Sequence, residues 1–323
     1  MNIKLSIAHF IRWHELKLAW KVFSREYILQ HNLFGEQWKD FGYTFDDQSL
    51  EMLLKNLDEE SVSLVQVLLK RFSNPFAIYP SLYPKQIFSD HELAEQNTFN
   101  AAKYELSRKY NIPVSEVDPS PMMYQSGLIF VPENAKKKIK DSAVLDIGAF
   151  IGQASTSFLE FQPANIYPFE PSLRNFRRLG DNLAKHVRTK QIIPINAAMG
   201  EKKGFAFISD EGNASAVGDS ETNPNAQKVV VTTVDDFAKE HKIPRVGLIK
   251  LDVEGFEMNV VQGATETIKR DKPILLISIY HTPTDFFKIK PMLENLNLGY
   301  RFLIRKTNPF WLTYDTMLIC YVA

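Results

Sequence analysis

The sequence predicts an α/β fold: a mostly parallel β-sheet covered by helices on both faces, preceded by an N-terminal helical extension. Three observations predict it. From about Ser142 onward, short apolar runs alternate with helical segments, the pattern of strands buried on both faces. Two of those runs end in an acid and lead into a turn containing glycine, Asp146 before Gly148 and Asp252 before Gly255. Ahead of residue 115 the apolar residues recur at helical spacing instead.

Composition narrows the function. The 323 residues carry 38 basic and 38 acidic side chains, so the formal charge is zero. A bulk binder of nucleic acid needs a clear basic excess, and that class is excluded. The length exceeds what one core usually serves. We expect residues 1–115 as a helical extension or cap and 116–323 as the second domain. A single cysteine, Cys320, forms neither an internal disulfide nor a cysteine-based metal site. The longest apolar run, Ile274 to Tyr280, is too short to span a bilayer. Arg12, Glu15, Lys17 and Lys21 interrupt any secretory h-region. The expectation is a cytoplasmic protein without a transmembrane segment.

The elements follow in order. Ile7, Phe10, Ile11, His14, Leu18 and Val22 share one helical face, as do Leu50, Leu53, Leu54 and Leu57. Trp13 and Trp20 with an excess of basic residues predict that the first helix packs onto the catalytic domain rather than a membrane, or joins two copies into an oligomer. Ser61 to Phe72 continues the helical pattern, and Asp90 to Tyr110 reads as a further helix with Asp90 as N-cap. Pro113, Pro119 and Pro121 punctuate a linker over 111–125. Gly127 to Val131 reads as a short strand, and the Lys136–Lys138 run with Lys140 as solvated surface. Strands are expected at Ala143–Ile147, Ile166–Phe169, Gln191–Ile195, Gly247–Leu251, Pro273–Ile279, Tyr300–Ile304 and Thr316–Tyr321. Helices are expected at Ile151–Phe161, Ser172–His186, Phe256–Arg270 and Asp285–Leu296. Two more strands, Phe205–Ser209 and Val229–Val231, lie in a loop-rich insertion.

Three segments carry chemistry. In the stretch from Val144 to Ala154, a strand ends at Asp146, Gly148 and Gly152 follow, and a helix begins. The glycines let backbone approach a ligand, and the helix start offers free N–H groups. A dinucleotide fingerprint on Gly148 needs glycines where Asp146 and Ile151 stand. An acid there suits a cationic amino group better than a pyrophosphate. The second segment ends a strand in Glu170-Pro171, a carboxylate placed to accept two ribose hydroxyls. The third, Leu248 to Glu257, crowds Lys250, Asp252, Glu254 and Glu257 at the end of an apolar strand. Asp252 faces the crevice where open α/β sheets bind ligands, whereas Glu257 equally suits the N-terminus of the next helix. Tyr280 and His281 end the neighbouring strand, and His281 reads either as structural or as a base.

In combination, Asp146-x-Gly148-x-x-x-Gly152, Glu170-Pro171, Asn196-Ala-Ala-Met-Gly200, Thr233-Val-Asp-Asp236 and Ile249-Lys-Leu-Asp-Val-Glu-Gly-Phe-Glu257 resemble the FkbM-type methyltransferases. The resemblance covers roughly 120–321. It implies a Rossmann-like class I methyltransferase fold, a seven-stranded sheet whose last strand, Thr316–Tyr321, is antiparallel. It also implies S-adenosylmethionine as cofactor, with Asp146, Gly148, Gly152 and Gln153 around its methionine end. Glu170 would take the ribose, and Asn196 and Ala197 would border the adenine. The activity implied is O-methylation of a hydroxyl on a sugar, a polysaccharide precursor or a polyketide-like metabolite, and among these a sugar of a bacterial surface glycan, such as a nucleotide-activated precursor, is the favoured acceptor.

Asp252 and His281 are the candidate proton acceptors, with Tyr280 shaping the pocket. Asp252, Glu254, Glu257 and His281 also supply candidate oxygen-rich ligands for magnesium or manganese, and whether they converge is left open. Two other classes stand beside this reading: a nicotinamide-dependent dehydrogenase, disfavoured by Asp146, and a non-catalytic binding module, disfavoured by the joint presence of Asp146, Glu170 and Asp252.

Overall fold

The computed structural model describes residues 47–73, 88–211, 214–218 and 226–322. The helical pattern from Ile7 to Val22 lies outside them. Ten strands are described: β1 Ala143–Ile147, β2 Asn165–Phe169, β3 Ala198–Met199, β4 Gly204–Glu211, β5 Ala214–Gly218, β6 Ala226–Thr232, β7 Val246–Leu251, β8 Ile274–Ser278, β9 Arg301–Lys306 and β10 Thr316–Tyr321. Six of them form the central sheet in the order β2-β1-β7-β8-β10-β9. β10 runs antiparallel to both of its neighbours, while β2, β1, β7 and β8 pair in parallel.

Alternation along these strands builds two cores, because successive side chains leave a strand on opposite faces. Leu145, Ile147, Ile249, Leu251, Leu275 and Ile277 enter the larger one. Val144, Leu248, Ile274 and Leu276 enter the other. The N-terminal helices α1 (Asp47–Leu54) and α2 (Glu59–Ser73) contribute Leu53, Val65 and Leu68 to the larger core, beside Phe302 and Ile304 of β9. Leu57 makes a parallel bridge to Phe302 at that edge. Helix α3 (Asp90–Tyr110) builds a third, small core in which Phe99 and Tyr110 meet Val117 and Met122.

Several expectations are corrected. The sheet has six continuous strands rather than seven. Segment 191–195 lies beside β2 but makes only isolated bridges, Ile192 to Ile166 and Ile195 to Phe169. Pro168 has no N–H to donate to Ile193 between the Ile166–Gln191 and Glu170–Ile195 bonds, which interrupts the pairing. Gly127–Val131 is no strand: Gln125–Phe130 forms a 3₁₀ turn, with Ser126 and Gly127 in left-handed conformations. The N-cap of α3 is Ser89 rather than Asp90, in a capping box with Glu92. The expected Phe256–Arg270 helix divides into Glu257–Gln262 and Thr265–Asp271. Lys136 of the basic run is buried and paired with Glu133 at 2.7 Å. The two strands of the insertion belong to a second sheet in the order β3-β6-β4-β5.

Candidate active site

The register of β1 and β7 sets the site. It places Asp146 opposite Lys250, and both side chains are buried. Lys250 Nζ lies 3.3 Å from Asp146 Oδ1 and 3.9 Å from Asp252 Oδ2. It also donates to the carbonyl of Gly148 at 2.8 Å. Burial opposes the charge on Lys250, but Asp146 and Asp252 overcome that and raise its pKa. Ser155 donates to the second oxygen of Asp146 at 2.6 Å. Asp146 therefore sits beneath the glycine turn, braced by a lysine, and does not line the cavity above.

That turn is held by geometry only glycine meets. Gly148 has φ +77°, and a Cβ on it would lie 1.8 Å from the carbonyl oxygen of Asp252. Phe150, two residues on, donates its N–H to Glu170 Oε2 at 3.0 Å, while Glu170 Oε1 accepts from Ser172 N at 2.9 Å. Glu170 thus braces the turn and faces the cavity at once. Asn196 donates to the carbonyls of Glu170 and Pro171 at 2.8 and 3.0 Å, so it clamps this loop from behind rather than lining the cavity. Ala197 does line it. Gln153 lines it too, but its amide donates to the Glu116 carbonyl. Gly152, at φ +86°, closes the turn against Leu183 outside the cavity.

The cavity encloses about 340 Å³. Ser126, Phe150, Glu254 and Asp315, all non-glycine residues with positive φ, line it together. Such backbone conformations are costly and gather where function requires them. Asn175 also lines it, almost fully buried, and its Oδ1 has no hydrogen-bond partner. An unsatisfied buried acceptor costs roughly 1–3 kcal/mol unless a ligand supplies the donor.

The opposite end is acidic. Tyr280 donates to Asp252 Oδ1 at 3.3 Å. His281 Nε2 lies 3.6 Å from Asp252 Oδ1 and 3.4 Å from Glu254 Oε2, and its Nδ1 lies 2.8 Å from Glu257 Oε1. Burial opposes protonation of His281, but Glu257, Asp252 and Glu254 raise its pKa to about 10. These carboxylates favour the protonated imidazole over the free base that one sequence reading expects. Burial and the neighbouring carboxylates likewise raise Asp118 to about 6 and Asp315 to about 8.

Ligand atoms of Asp252, Glu257 and His281 come within 4.8 Å of one another. They fit a closed ion pair better than a metal. Both Glu257 oxygens accept backbone N–H groups, from Val253 at 2.7 Å and Gly255 at 3.0 Å. Neither His281 nor Glu257 lines the cavity. Neither His281 ring nitrogen makes an aligned hydrogen bond, which is the one feature a metal would suit.

Sequence reasoning missed Lys250 as a partner of Asp146, although strand alternation places residues 248, 250 and 252 on one face. It also missed Asp118 and Asn175. Asp118 caps the short helix Pro119–Met122 by accepting from Ser120 N at 2.8 Å, and the Asp-Pro pair was its signal. Asp315 carried no local signal.

Among known proteins, the hexuronic acid methyltransferase AglP of Haloferax volcanii is 26% identical over 132 residues, 40% of this chain and 53% of that protein. The crystal structure of a methyltransferase FkbM from Methylobacillus flagellatus KT superposes with a TM-score of 0.57 at 20% identity, over 85% of this chain and 58% of that one. The chain thus spans less than two thirds of either relative. The structural likeness establishes a shared Rossmann-like methyltransferase fold. Residues 146–302 match the family model of the methyltransferase FkbM domain. They contain the glycine turn, the Glu170 strand end and the Asp252–Glu257 motif, so the similarity to the FkbM domain falls on the segments that build the cavity.

Proposed function

We propose that this protein transfers the methyl group of S-adenosylmethionine to a hydroxyl oxygen of a sugar. The observation that carries the reading is the single cavity lined by Gly148, Glu170 and Asp252 at the carboxyl ends of β1, β2 and β7. The residues suit that cofactor. The Gly148 turn leaves room where a Cβ would close it, Glu170 offers a carboxylate to ribose hydroxyls, and Asn175 offers an unpaired acceptor. When bound, the cofactor supplies an electrophilic methyl on a sulfonium.

The chain's own residues do the rest. Asp252 lines the cavity and accepts the acceptor's hydroxyl proton, with Tyr280 holding its Oδ1 at 3.3 Å. Lys250 and His281 flank Asp252 as fixed cations and hold the strand ends together. The acidic end also suits a sulfonium charge. A sugar acceptor is supported by the name of the Haloferax volcanii relative.

The test is incubation of the protein with methyl-labelled S-adenosylmethionine and a panel of nucleotide-activated sugars and glycan fragments, read by mass spectrometry. Transfer to a sugar hydroxyl is expected, and a chelator should leave it unchanged. Asp252→Asn should retain cofactor affinity and lose about 10²–10⁴-fold in turnover. A wild-type rate in Asp252→Asn would remove Asp252 from the chemistry. Failure of the protein to bind the cofactor would overturn the activity itself.

A further inference from the structure

The loop between β9 and β10 lies outside the residues that match the family model, yet it is built as carefully as the strand ends. Four contacts pin it from elsewhere in the chain. Arg71 of α2 donates to the Leu312 carbonyl at 2.7 Å, and Gln96 of α3 donates to the Pro309 carbonyl at 2.7 Å. Ser120 and Thr307 share a hydroxyl contact of 2.8 Å. Phe310 packs edge-on against Phe99 of α3 at 5.5 Å. Within the loop, Asn308 donates to Asp315 Oδ2 at 3.0 Å.

This anchored loop presents two large aromatic side chains to solvent, Trp311 at 51% and Tyr314 at 39% exposure. They are not scattered. The Trp311 and Tyr314 rings lie 5.7 Å apart, and the Tyr314 and Tyr280 rings 5.2 Å apart. Tyr280 in turn donates to Asp252. An aromatic ladder therefore runs from the surface to the carboxylate proposed to take the proton. Leaving two large rings in water costs apolar burial, and their ring contacts lead to Tyr280, which lines the cavity.

We propose that Trp311, Tyr314 and Tyr280 form the acceptor subsite and that its occupant is a sugar ring bearing no carboxylate. This deepens the sugar-methyltransferase reading and rests on it for the chemistry. Two features select the occupant. The axial C–H groups of a pyranose form an apolar, slightly positive face that matches the negative face of an aromatic ring, while its hydroxyls reach the polar groups at the inner end. That inner end carries four carboxyl side chains, Asp118, Asp252, Glu254 and Asp315, on the cavity wall against Lys250. Burial first, and then repulsion from the neighbouring carboxylates, pushes the Asp118 and Asp315 carboxyls upward. An anionic sugar would add to that repulsion, and a neutral or amino sugar would not. The specificity inferred thus differs from the hexuronic acid named for the Haloferax volcanii relative.

The experiment uses the full chain and three probes, the methyl glycosides of glucose, glucosamine and glucuronic acid. Saturation-transfer NMR is run with and without S-adenosylhomocysteine. The glucoside and glucosaminide should bind and the glucuronide should bind more weakly. Trp311→Ala and Tyr314→Ala should each weaken glycoside binding about tenfold while S-adenosylhomocysteine affinity holds. Both substitutions are at exposed positions, and circular dichroism verifies the fold. Preference for the glucuronide, equal glycoside binding in the variants, or no glycoside binding by a protein that binds S-adenosylhomocysteine would each overturn the proposal. Loss of S-adenosylhomocysteine binding with glycoside binding retained would instead strike only the cofactor reading.

Discussion

A methyl group placed on Gly148 would stand 1.8 Å from the main-chain oxygen of Asp252. The turn after the first strand and the proposed catalytic strand end are therefore in van der Waals contact through backbone alone. Gly148→Ala must push the Asp252 backbone away and adopt an unfavourable φ of +77°. It should abolish cofactor binding in calorimetry and lower thermal stability. Gly180, inside the helix Leu173–Asn182, has no atom within 4 Å of the equivalent position. Gly180→Ala should stabilise the protein by about 0.4–1 kcal/mol and leave binding intact.

Glu170 has two tasks that substitution separates. Glu170→Ala should weaken S-adenosylhomocysteine binding at least about tenfold, since a hydrogen bond to a charged group contributes roughly 1.5–3 kcal/mol. It should also free the Phe150 N–H, which hydrogen exchange would detect as faster exchange. Faster exchange with unchanged affinity would leave Glu170 as a brace for the turn and remove it from the ribose.

His281 should titrate far from its ordinary value. Its folded pKa of about 10 exceeds the usual 6.5, so the stabilisation it contributes is full below pH 6.5 and lost as pH rises through about 10. NMR of the imidazole should show a protonated ring at pH 8. Glu257→Gln removes the nearest carboxylate, lowers that pKa and flattens the alkaline loss of stability. A neutral ring at pH 8 in the wild-type protein would return His281 to candidacy as a base.

Glu92 is buried between Arg71 at 2.7 Å and Lys306 at 2.7 Å. Burial opposes its charge, but Arg71 and Lys306 prevail and hold its pKa at about 2, below the ordinary 4.5. Its contribution is present above pH 4.5 and lost as pH falls toward 2. Glu92→Ala leaves two buried cations without their partner and should cost about 3–5 kcal/mol in denaturant unfolding.

The local sequence determined much of this protein. Strand alternation, acids at the strand ends and Gly148 were sufficient to read β1, β2, β7 and β8 and to put Glu170 and Asp252 at strand ends, because each depends on neighbours in the chain, while the Rossmann-like fold followed from the family resemblance. Thr316–Tyr321 as the antiparallel strand followed from the family resemblance and agrees with the structure. Tertiary structure decided what depends on distant pairing. It turned Asp146 toward Lys250, turned Asn196 behind the Glu170 loop, and surrounded His281 with carboxylates that raise its pKa. It also brought Asp118 and Asp315 to one cavity, and Arg71 and Gln96 to the loop that carries Trp311. A side chain's charge state and direction are set by the field and packing of everything around it, and those neighbours come from parts of the chain with no local relation to one another.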